Sequence, residues 1–280
     1  MENQKEIIIR PPSGWFDFNL KELWDYRDPV KEFVLRNFKL IYKQTVLGPA
    51  WLVFNPIFTS VIFTFVFGQF AGISTDGVPQ FLFYMAGNSL WSLFSTSVTN
   101  NSNLFFANKN VFGKIYFPRI ATPLAQSISC LINFMIQFVA LLAFFVFYMV
   151  TGSPLRFSLK MLIIPVILLQ TTLLALGVSL IFSALTAKYR DFTFIVTLGM
   201  QMWMYVSPVV YPMSLTGGWM YKILLFNPMT PILNNFKWAF LGSGSFMLWS
   251  WVLSFVTTGA CLFVGLAIFS KVEKTFVDTV

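Results

Sequence analysis

The residue types that carry out most enzyme chemistry are scarce in this chain. Its 280 residues include no histidine, and the two cysteines, Cys130 and Cys261, both lie within apolar stretches. Without histidine, neither a Ser/His/Asp nor a Cys/His nucleophile set can form. The cysteines are typical of small buried hydrophobic residues. The sequence therefore predicts no catalytic, cofactor-binding or metal-binding residues, and the chain is not expected to be an enzyme.

Nucleotide hydrolysis on this chain is also disfavoured. The phosphate-loop pattern G-x-x-x-x-G-K-[ST] is absent, because the lone Gly113-Lys114 pair lacks the upstream glycine. The apolar stretches contain amides such as Asn88 and Gln137 but no Asp, Glu, Lys or Arg. Proton- and ion-driven carriers usually need ionisable groups there. If the protein carries out energised transport, ATP hydrolysis must therefore take place on another subunit.

Aromatic rings are the remaining groups with recognisable binding chemistry. The chain has 34 Phe, 9 Trp and 9 Tyr. Sugars can stack their C–H faces on such rings, and the candidates for lining a channel are Trp203, Tyr205 and Tyr211. Ordinary packing is the alternative for these three, and Trp near the ends of membrane spans is typical of interfacial belts.

Six uncharged stretches must position these rings. They cover 44–75, 77–108, 120–155, 161–187, 192–221 and 238–270. About 20 apolar residues cross roughly 30 Å of hydrocarbon, and a charge at the bilayer centre costs at least about 2.5–3.5 kcal/mol. We therefore expect an all-α membrane protein whose domain, 49–270, has six transmembrane helices, near 49–70, 80–101, 128–150, 161–184, 193–212 and 247–269.

The distribution of charge predicts the orientation. Of the 19 Lys and Arg, 15 fall on the side that holds both termini, and four fall on the other side, namely Arg156, Lys160, Lys222 and Lys237. Because cytoplasmic loops collect positive charge, the N-terminal segment 1–48 and the tail 271–280 are predicted to be cytoplasmic. The net charge of +8 then indicates orientation and contact with membrane lipids, and no nucleic-acid partner is expected.

An amphipathic helix is predicted within the N-terminal segment. Asp28 suits the N-cap and Pro29 the first helical position. The apolar residues that follow share one helical face, and they are Val30, Phe33, Val34 and Ile41. Such a helix should lie in the membrane interface. It either anchors the chain only or also touches a cytoplasmic partner and moves with it.

Two segments outside the spans are unusually apolar. The loop 103–123 is rich in aromatic residues, so it either packs under the bundle or docks into a soluble partner. Residues 216–241 are interrupted by Asn227-Pro228-Met229-Thr230-Pro231. Each half, about 16 Å long as a helix, is too short to cross the membrane. The prediction is a re-entrant helical hairpin before the last span, which either seals the bundle or acts as an outer gate.

Several ordered motifs resemble those of type-2 ABC transporter permeases, and bacterial polysaccharide exporters (O-antigen, capsule and teichoic-acid permeases) are the most similar group. The motifs are Lys188-Tyr189-Arg190-Asp191-Phe192, Met200-Gln201, Ser207-Pro208-Val209-Val210-Tyr211-Pro212 and the hairpin motif at 227–231. The run 38–51 is similar to the start of the family's first span. The resemblance covers about 30–275.

The resemblance implies a homodimer with two ATP-binding cassette subunits, which bind ATP and Mg, so no cofactor is expected on this chain. The cargo would be a lipid-linked glycan, most similar to O-antigen, that crosses the bacterial inner membrane. The N-terminal helix would be a cytoplasmic gate element. The implied ATPase-coupling loop includes Phe105, Phe106, Lys109, Phe112, Lys114, Phe117 and Arg119. The implied outer gate includes Asn227, Pro228 and Pro231. A short cytoplasmic turn would contain Arg190 and Asp191.

Three alternatives stay open from the sequence. The first is a type-2 ABC efflux permease for drugs or other small lipophilic cargo, and the second is a passive channel that needs no ATPase. The third, a membrane-bound lipid-modifying enzyme, conflicts with the missing catalytic groups.

Overall fold

The computed structural model describes residues 27–43, 48, 50–104, 120–189 and 191–277, and within them the chain is helical with no strand. The all-α prediction is confirmed for this part of the chain. The helices are α1 (Arg27–Lys43), α2 (Ala50–Phe63, continued by a π-helix at Thr64–Phe70), α3 (Gln80–Ser102), α4 (Ala121–Val150), α5 (Ile164–Lys188, preceded by a 3-10 turn at Leu159–Ile163), α6 (Phe192–Tyr205), α7 (Gly218–Phe226), α8 (Met229–Leu241) and α9 (Leu248–Val277).

Four helical segments among the described residues are long and apolar enough to cross a membrane, and they are Ala50–Phe70, Ala121–Val150, Leu159–Lys188 and Leu248–Val272. The other two predicted spans coincide with α3 and α6. Helix α3 is long enough at 23 residues, but it contains many Asn, Ser and Thr. Helix α6 has only 14 residues, because the chain leaves the helix before Pro208. The count of six spans therefore stays a prediction.

Helices α3 and α5 form the centre of the bundle. Helix α5 contacts α3, α4, α6, α8 and α9, and α3 also contacts α2, α4, α6 and α8. Large side chains of α3, such as Phe83, Tyr84 and Phe94, are fully buried. A helix surrounded by other helices does not need an apolar surface toward lipid. This explains how α3 can be polar in composition and still lie in the middle of the molecule.

Helices α5 and α9 approach each other most closely at two glycines. A Cβ added to Gly177 would lie 2.6 Å from the backbone N of Leu262, and one added to Gly265 would lie 2.5 Å from the carbonyl O of Gly177. Small residues at helix crossings allow this backbone contact in membranes, where dispersion and hydrogen bonds hold helices together. Elsewhere along the same pair of helices, Gln170 Nε2 donates a hydrogen bond to Ser254 Oγ at 2.9 Å.

Helix α1 packs against the protein through its apolar face. Val30 is buried, and Phe33 and Val34 contact the same apolar cluster, whose other buried members are Leu104, Ala121, Ala125, Leu176, Leu180 and Phe269. Asn37 Nδ2 donates to Gln126 Oε1 on α4 at 2.8 Å. Part of the face predicted for the membrane interface therefore contacts α4, and the position of α1 relative to a bilayer stays a prediction.

The close approach of α5 and α9 predicts a steric effect of the smallest possible substitution. We expect Gly177→Ala to destabilise the protein by about 1–3 kcal/mol, the usual range for overpacking, because its Cβ meets backbone atoms of α9. The matched control is Gly259→Ala, where the added Cβ meets no atom within 4 Å. Thermal unfolding in detergent measures both, and equal melting temperatures would contradict the close contact.

Candidate functional site

The accessible surface of α3 is polar along most of its length. From residue 82 to residue 102, every side chain that is not buried belongs to Asn, Ser or Thr, and these residues are Asn88, Ser92, Ser95, Thr96, Thr99 and Asn100. Their spacing of three or four places them on one side of the helix. We call this the polar face of α3. Polar groups at membrane depth are tolerated where they meet protein or water and not hydrocarbon, so this face is a candidate wall for a polar pathway.

A groove with a volume of about 360 Å³ opens where α2, α3 and α4 meet. Two residues of the polar face, Ser92 and Thr96, form part of its wall, so the groove and the polar face are continuous. We call it the α2–α3–α4 groove. The described residues that line it include no charged side chain, and they are Trp51, Leu52, Asn55, Ser92, Leu93, Thr96, Cys130, Asn133, Phe134 and Gln137.

Neither surface is among the sites predicted from the sequence. The signal that could have shown the polar face is the recurrence of Asn, Ser and Thr every three or four residues from 88 to 100. A search for aromatic and ionisable groups does not detect it. The groove has no comparable signal, because its residues come from three separate helices.

The three predicted channel aromatics lie in different surroundings. The Trp203 ring meets the Phe94 ring edge-on at a centroid distance of 5.3 Å, and its Nε1 donates to Asn227 Oδ1 at 3.0 Å. Tyr205 is 57% exposed, and Tyr211 Oη donates to the Tyr205 carbonyl at 3.4 Å. Trp203 therefore contributes to packing, while Tyr205 presents a free ring surface. A role of the three residues in lining a channel stays a prediction.

The predicted outer-gate residues lie at the turn between α7 and α8. Asn227 Nδ2 donates to Ser207 Oγ at 2.9 Å, and the Pro228 carbonyl accepts a hydrogen bond from Ser254 Oγ at 2.8 Å. Pro231 is buried, as is nearly all of α8. Helix α7, in contrast, exposes Trp219 and other large apolar side chains. The hairpin thus has a tightly held half and an accessible half, and whether it gates a pathway stays a prediction.

Lys237 fixes α8 to the end of α6. Its side chain is 3% exposed, and Nζ donates to the carbonyl oxygens of Pro208 at 2.7 Å and Val209 at 2.9 Å. Nζ also lies 3.6 Å from the centroid of the Phe83 ring. Nζ therefore pairs with two carbonyls of the non-helical segment that follows α6. The distribution of charge along the sequence assigns Lys237 to the side opposite the termini, whereas the structure places its side chain inside the bundle.

The predicted coupling loop lies outside the described residues, as does Arg190 of the predicted cytoplasmic turn. The loop residues concerned are Phe105, Phe106, Lys109, Phe112, Lys114, Phe117 and Arg119. Asp191 is described and directly precedes α6. On either side of residues 105–119, Leu104 and Ala121 are buried in the apolar cluster that also holds Val30 of α1. Both ends of the loop are therefore attached to one cluster at this end of the bundle.

Comparison with known proteins gives consistent matches over most of the chain. The model of the ABC-2 type transporter family matches residues 30–241. An O-antigen export system permease protein RfbA from Klebsiella pneumoniae is 28% identical over 246 residues, which are 87% of this chain and 91% of the relative. One of the same name from Myxococcus xanthus is 26% identical over 225 residues, 79% of this chain and 83% of the relative. Because the family match covers more than half of its residues, this chain belongs to the ABC-2 type transporter family.

Proposed function

We propose that this chain is the membrane-spanning permease subunit of an exporter that moves a lipid-linked polysaccharide of the O-antigen type from the cytoplasmic side across the bacterial inner membrane. The observation that carries this proposal is the polar face of α3, an accessible surface on a central helix whose side chains from 82 to 102 are otherwise buried. A polysaccharide needs hydrogen-bond partners as it crosses, and Asn, Ser and Thr provide them without charge. This surface favours a hydroxyl-rich cargo over a small lipophilic one.

A second copy of the chain is needed to enclose such a pathway. Helices α2 and α6 both contact α3, and both expose large side chains, for example Phe65 at 60% on the π-helical extension of α2 and Phe194 at 72% on α6. One copy therefore provides only part of a wall. In the proposed homodimer, each copy has six spans, and both of its termini are cytoplasmic. Helices α2 and α6 of both copies line the conduit together with the polar face of α3.

Membership of the ABC-2 family implies an ATP-binding cassette partner. In the proposed complex two such subunits bind ATP and Mg and dock on the loop 105–119. The apolar cluster that holds both ends of this loop also contains residues of α1, α5 and α9. A displacement of the loop is thereby transmitted to α1, the proposed cytoplasmic gate element, and to the central helices.

The outer gate is assigned to the accessible half of the hairpin. Helix α8 is held by Lys237 and by the hydrogen bond from Ser254 to the Pro228 carbonyl, so α8 is the stationary part. Helix α7 buries only Leu224 among its described side chains. The hairpin would enter the membrane from the outer side, and α7 would move when the conduit opens.

Deletion of the gene for this chain tests the proposal. The expected result is loss of surface polysaccharide, with lipid-linked intermediates accumulating on the cytoplasmic side, and recovery of export when the intact chain is supplied. Unchanged surface polysaccharide in the deletion strain would refute the proposed cargo. Co-purification of an ATP-binding subunit separates an ATP-driven exporter from a passive channel.

Substitutions in the polar face of α3 are expected to reduce export without reducing the amount of permease in the membrane. We expect Asn88→Leu and Thr99→Leu each to reduce the export rate about 2- to 12-fold, which corresponds to the 0.5–1.5 kcal/mol of a typical hydrogen bond. The measurement is surface polysaccharide per permease molecule in the membrane. Thr257→Leu on α9 is the control, since it makes the same chemical change away from α3. Equal export by all three variants would count against the polar face.

Substitutions in the proposed docking loop are expected to uncouple ATP hydrolysis from export. We expect Phe112→Ala and Phe117→Ala to leave membrane insertion intact while ATP hydrolysis by the complex no longer drives export, because the loss of an aromatic anchor loosens the contact. The control is Phe147→Ala, at a 60% exposed residue of α4 that lies outside the loop and outside the helices proposed to line the conduit. Normal coupling in both loop variants would remove the docking role.

Substitutions of Trp203 and Tyr205 on α6 are expected to affect different properties, the stability of the protein and the rate of export respectively. Trp203→Ala should lower the melting temperature, because it removes ring contacts and the bond to Asn227, and Trp203→Phe should restore part of the difference. Tyr205→Ala should leave the melting temperature unchanged and reduce export, since its exposed ring makes few contacts within one copy. Unfolding in detergent and export in cells measure the two effects. Wild-type export by the Tyr205 variant would exclude its contact with cargo.

A further inference from the structure

The α2–α3–α4 groove is lined by amide side chains whose oxygens have no partner among the described residues. Gln137 is 8% exposed, and neither its Oε1 nor the Oδ1 of Asn133 has a hydrogen-bond partner among the described residues. Buried polar groups are normally paired, and leaving one unpaired destabilises the fold. Both side chains line the groove, so a polar group bound there can supply hydrogen bonds to these amides that the described residues do not.

The chemistry of the wall specifies the kind of group that fits. Asn55, Asn133 and Gln137 provide amides, and Ser92 and Thr96 provide hydroxyls. An amide presents either its oxygen or its NH2 group, and the terminal torsion that turns it is soft. Hydroxyl groups, which both donate and accept, match such a wall. Phosphate is recognised by Arg, Lys or clustered backbone N–H groups, and the described lining contains no Arg or Lys.

The size and location of the groove suit a lipid headgroup. Its volume of about 360 Å³ lies at the lower end of the range for ligand pockets, about 300–1,000 Å³. Trp51, which lines it, is 50% exposed, so the groove reaches the surface at the first turn of α2. In the proposed topology α2 starts and α3 ends in the cytoplasmic leaflet. A lipid in that leaflet can therefore place its head in the groove without leaving the bilayer.

We infer that the groove binds the hydroxyl-bearing sugar residues of the cargo that lie nearest its lipid, which enter from the cytoplasmic leaflet. Gln137 and Asn133 hydrogen-bond to the sugar hydroxyls, and the Trp51 ring stacks on the sugar face. Ser92 and Thr96 belong to both the groove and the polar face of α3, so the sugar passes from one to the other without losing its polar contacts. This inference deepens the proposed function and rests on it.

Photolabelling of the full-length chain in phosphatidylcholine nanodiscs tests the site. The probe is dodecyl maltoside with a diazirine next to the sugar, and labelled peptides are identified by mass spectrometry. We expect labelling near Asn55, Ser92 and Gln137, about fivefold weaker in Gln137→Leu, which lacks one hydrogen bond to the sugar. Thr257→Leu on α9, outside both the groove and the helices proposed to line the conduit, is the control and should label as the unchanged protein does.

Melting temperatures of the same samples separate ligand contact from a structural role. Because Gln137 Oε1 has no partner among the described residues, Gln137→Leu removes an unpaired buried group, and its melting temperature should equal or exceed that of the unchanged protein. Weaker labelling at undiminished stability supports a ligand contact. A lower melting temperature together with unchanged labelling overturns the inference and assigns Gln137 to packing.

A second probe distinguishes cargo from ordinary lipid. Phosphatidylglycerol with a diazirine next to its glycerol offers hydroxyls from a bilayer component, and labelling as strong as that by the maltoside would overturn the assignment to cargo sugar. Absence of groove labelling by both probes would overturn the site itself. If the deletion strain loses its surface polysaccharide while Gln137→Leu exports and labels normally, the groove inference fails and the proposed function stands. If deletion has no effect on the surface, the proposed function fails.

Discussion

The exclusion of unpaired polar groups from hydrocarbon is the constraint on which the rest of the structure depends. Most hydroxyls in the helices satisfy it locally, as when Ser60 Oγ donates to the Pro56 carbonyl and Thr171 Oγ1 to the Ile167 carbonyl. Amides and indoles satisfy it between helices, as in the contact of Trp251 Nε1 with Gln170 Oε1 at 2.6 Å. The groove holds two of the buried oxygens that have no partner among the described residues, and the adjacent polar face of α3 is accessible, so we propose that the protein meets its polar cargo there.

The same constraint explains how far the sequence could predict the fold. Excluding charge from long stretches is necessary for any helix in a bilayer, so each of the six predicted spans coincides with a helix. The ends were less predictable. Helix α4 begins at Ala121, seven residues before the predicted span at 128–150. Nothing in its apolar pattern shows where the helix leaves the membrane, so the start of the helix could not be predicted. Helix α6 ends at Tyr205, shortly before Pro208 and not near Pro212, and Lys237 pairs the Pro208 and Val209 carbonyls that follow it.

The candidate site was less predictable than the fold for a related reason. Lys237 is read from the sequence as an outer-side charge, and only the contact between α8 and the end of α6 shows that it pairs with carbonyls. Gly87 belongs to the same contact, since a Cβ on it would lie 2.7 Å from the Val209 carbonyl. The aromatic residues were conspicuous in the sequence, but Trp203 proves to bond with Asn227. Pairing between distant residues is a tertiary property that composition and spacing do not encode.

The two ends of the bundle are held by different combinations of contacts, and this difference bears on how an exporter of this kind can move. The end proposed to be outer is fastened by directional hydrogen bonds from Lys237, Asn227 and Ser254. The end proposed to be cytoplasmic combines the apolar cluster around Val30 and Leu104, where side chains can shift without leaving a polar group unpaired, with hydrogen bonds such as the one from Asn37 to Gln126. Opening at the proposed outer end requires either breaking the bonds of Lys237, Asn227 and Ser254 or moving α7, which is largely exposed.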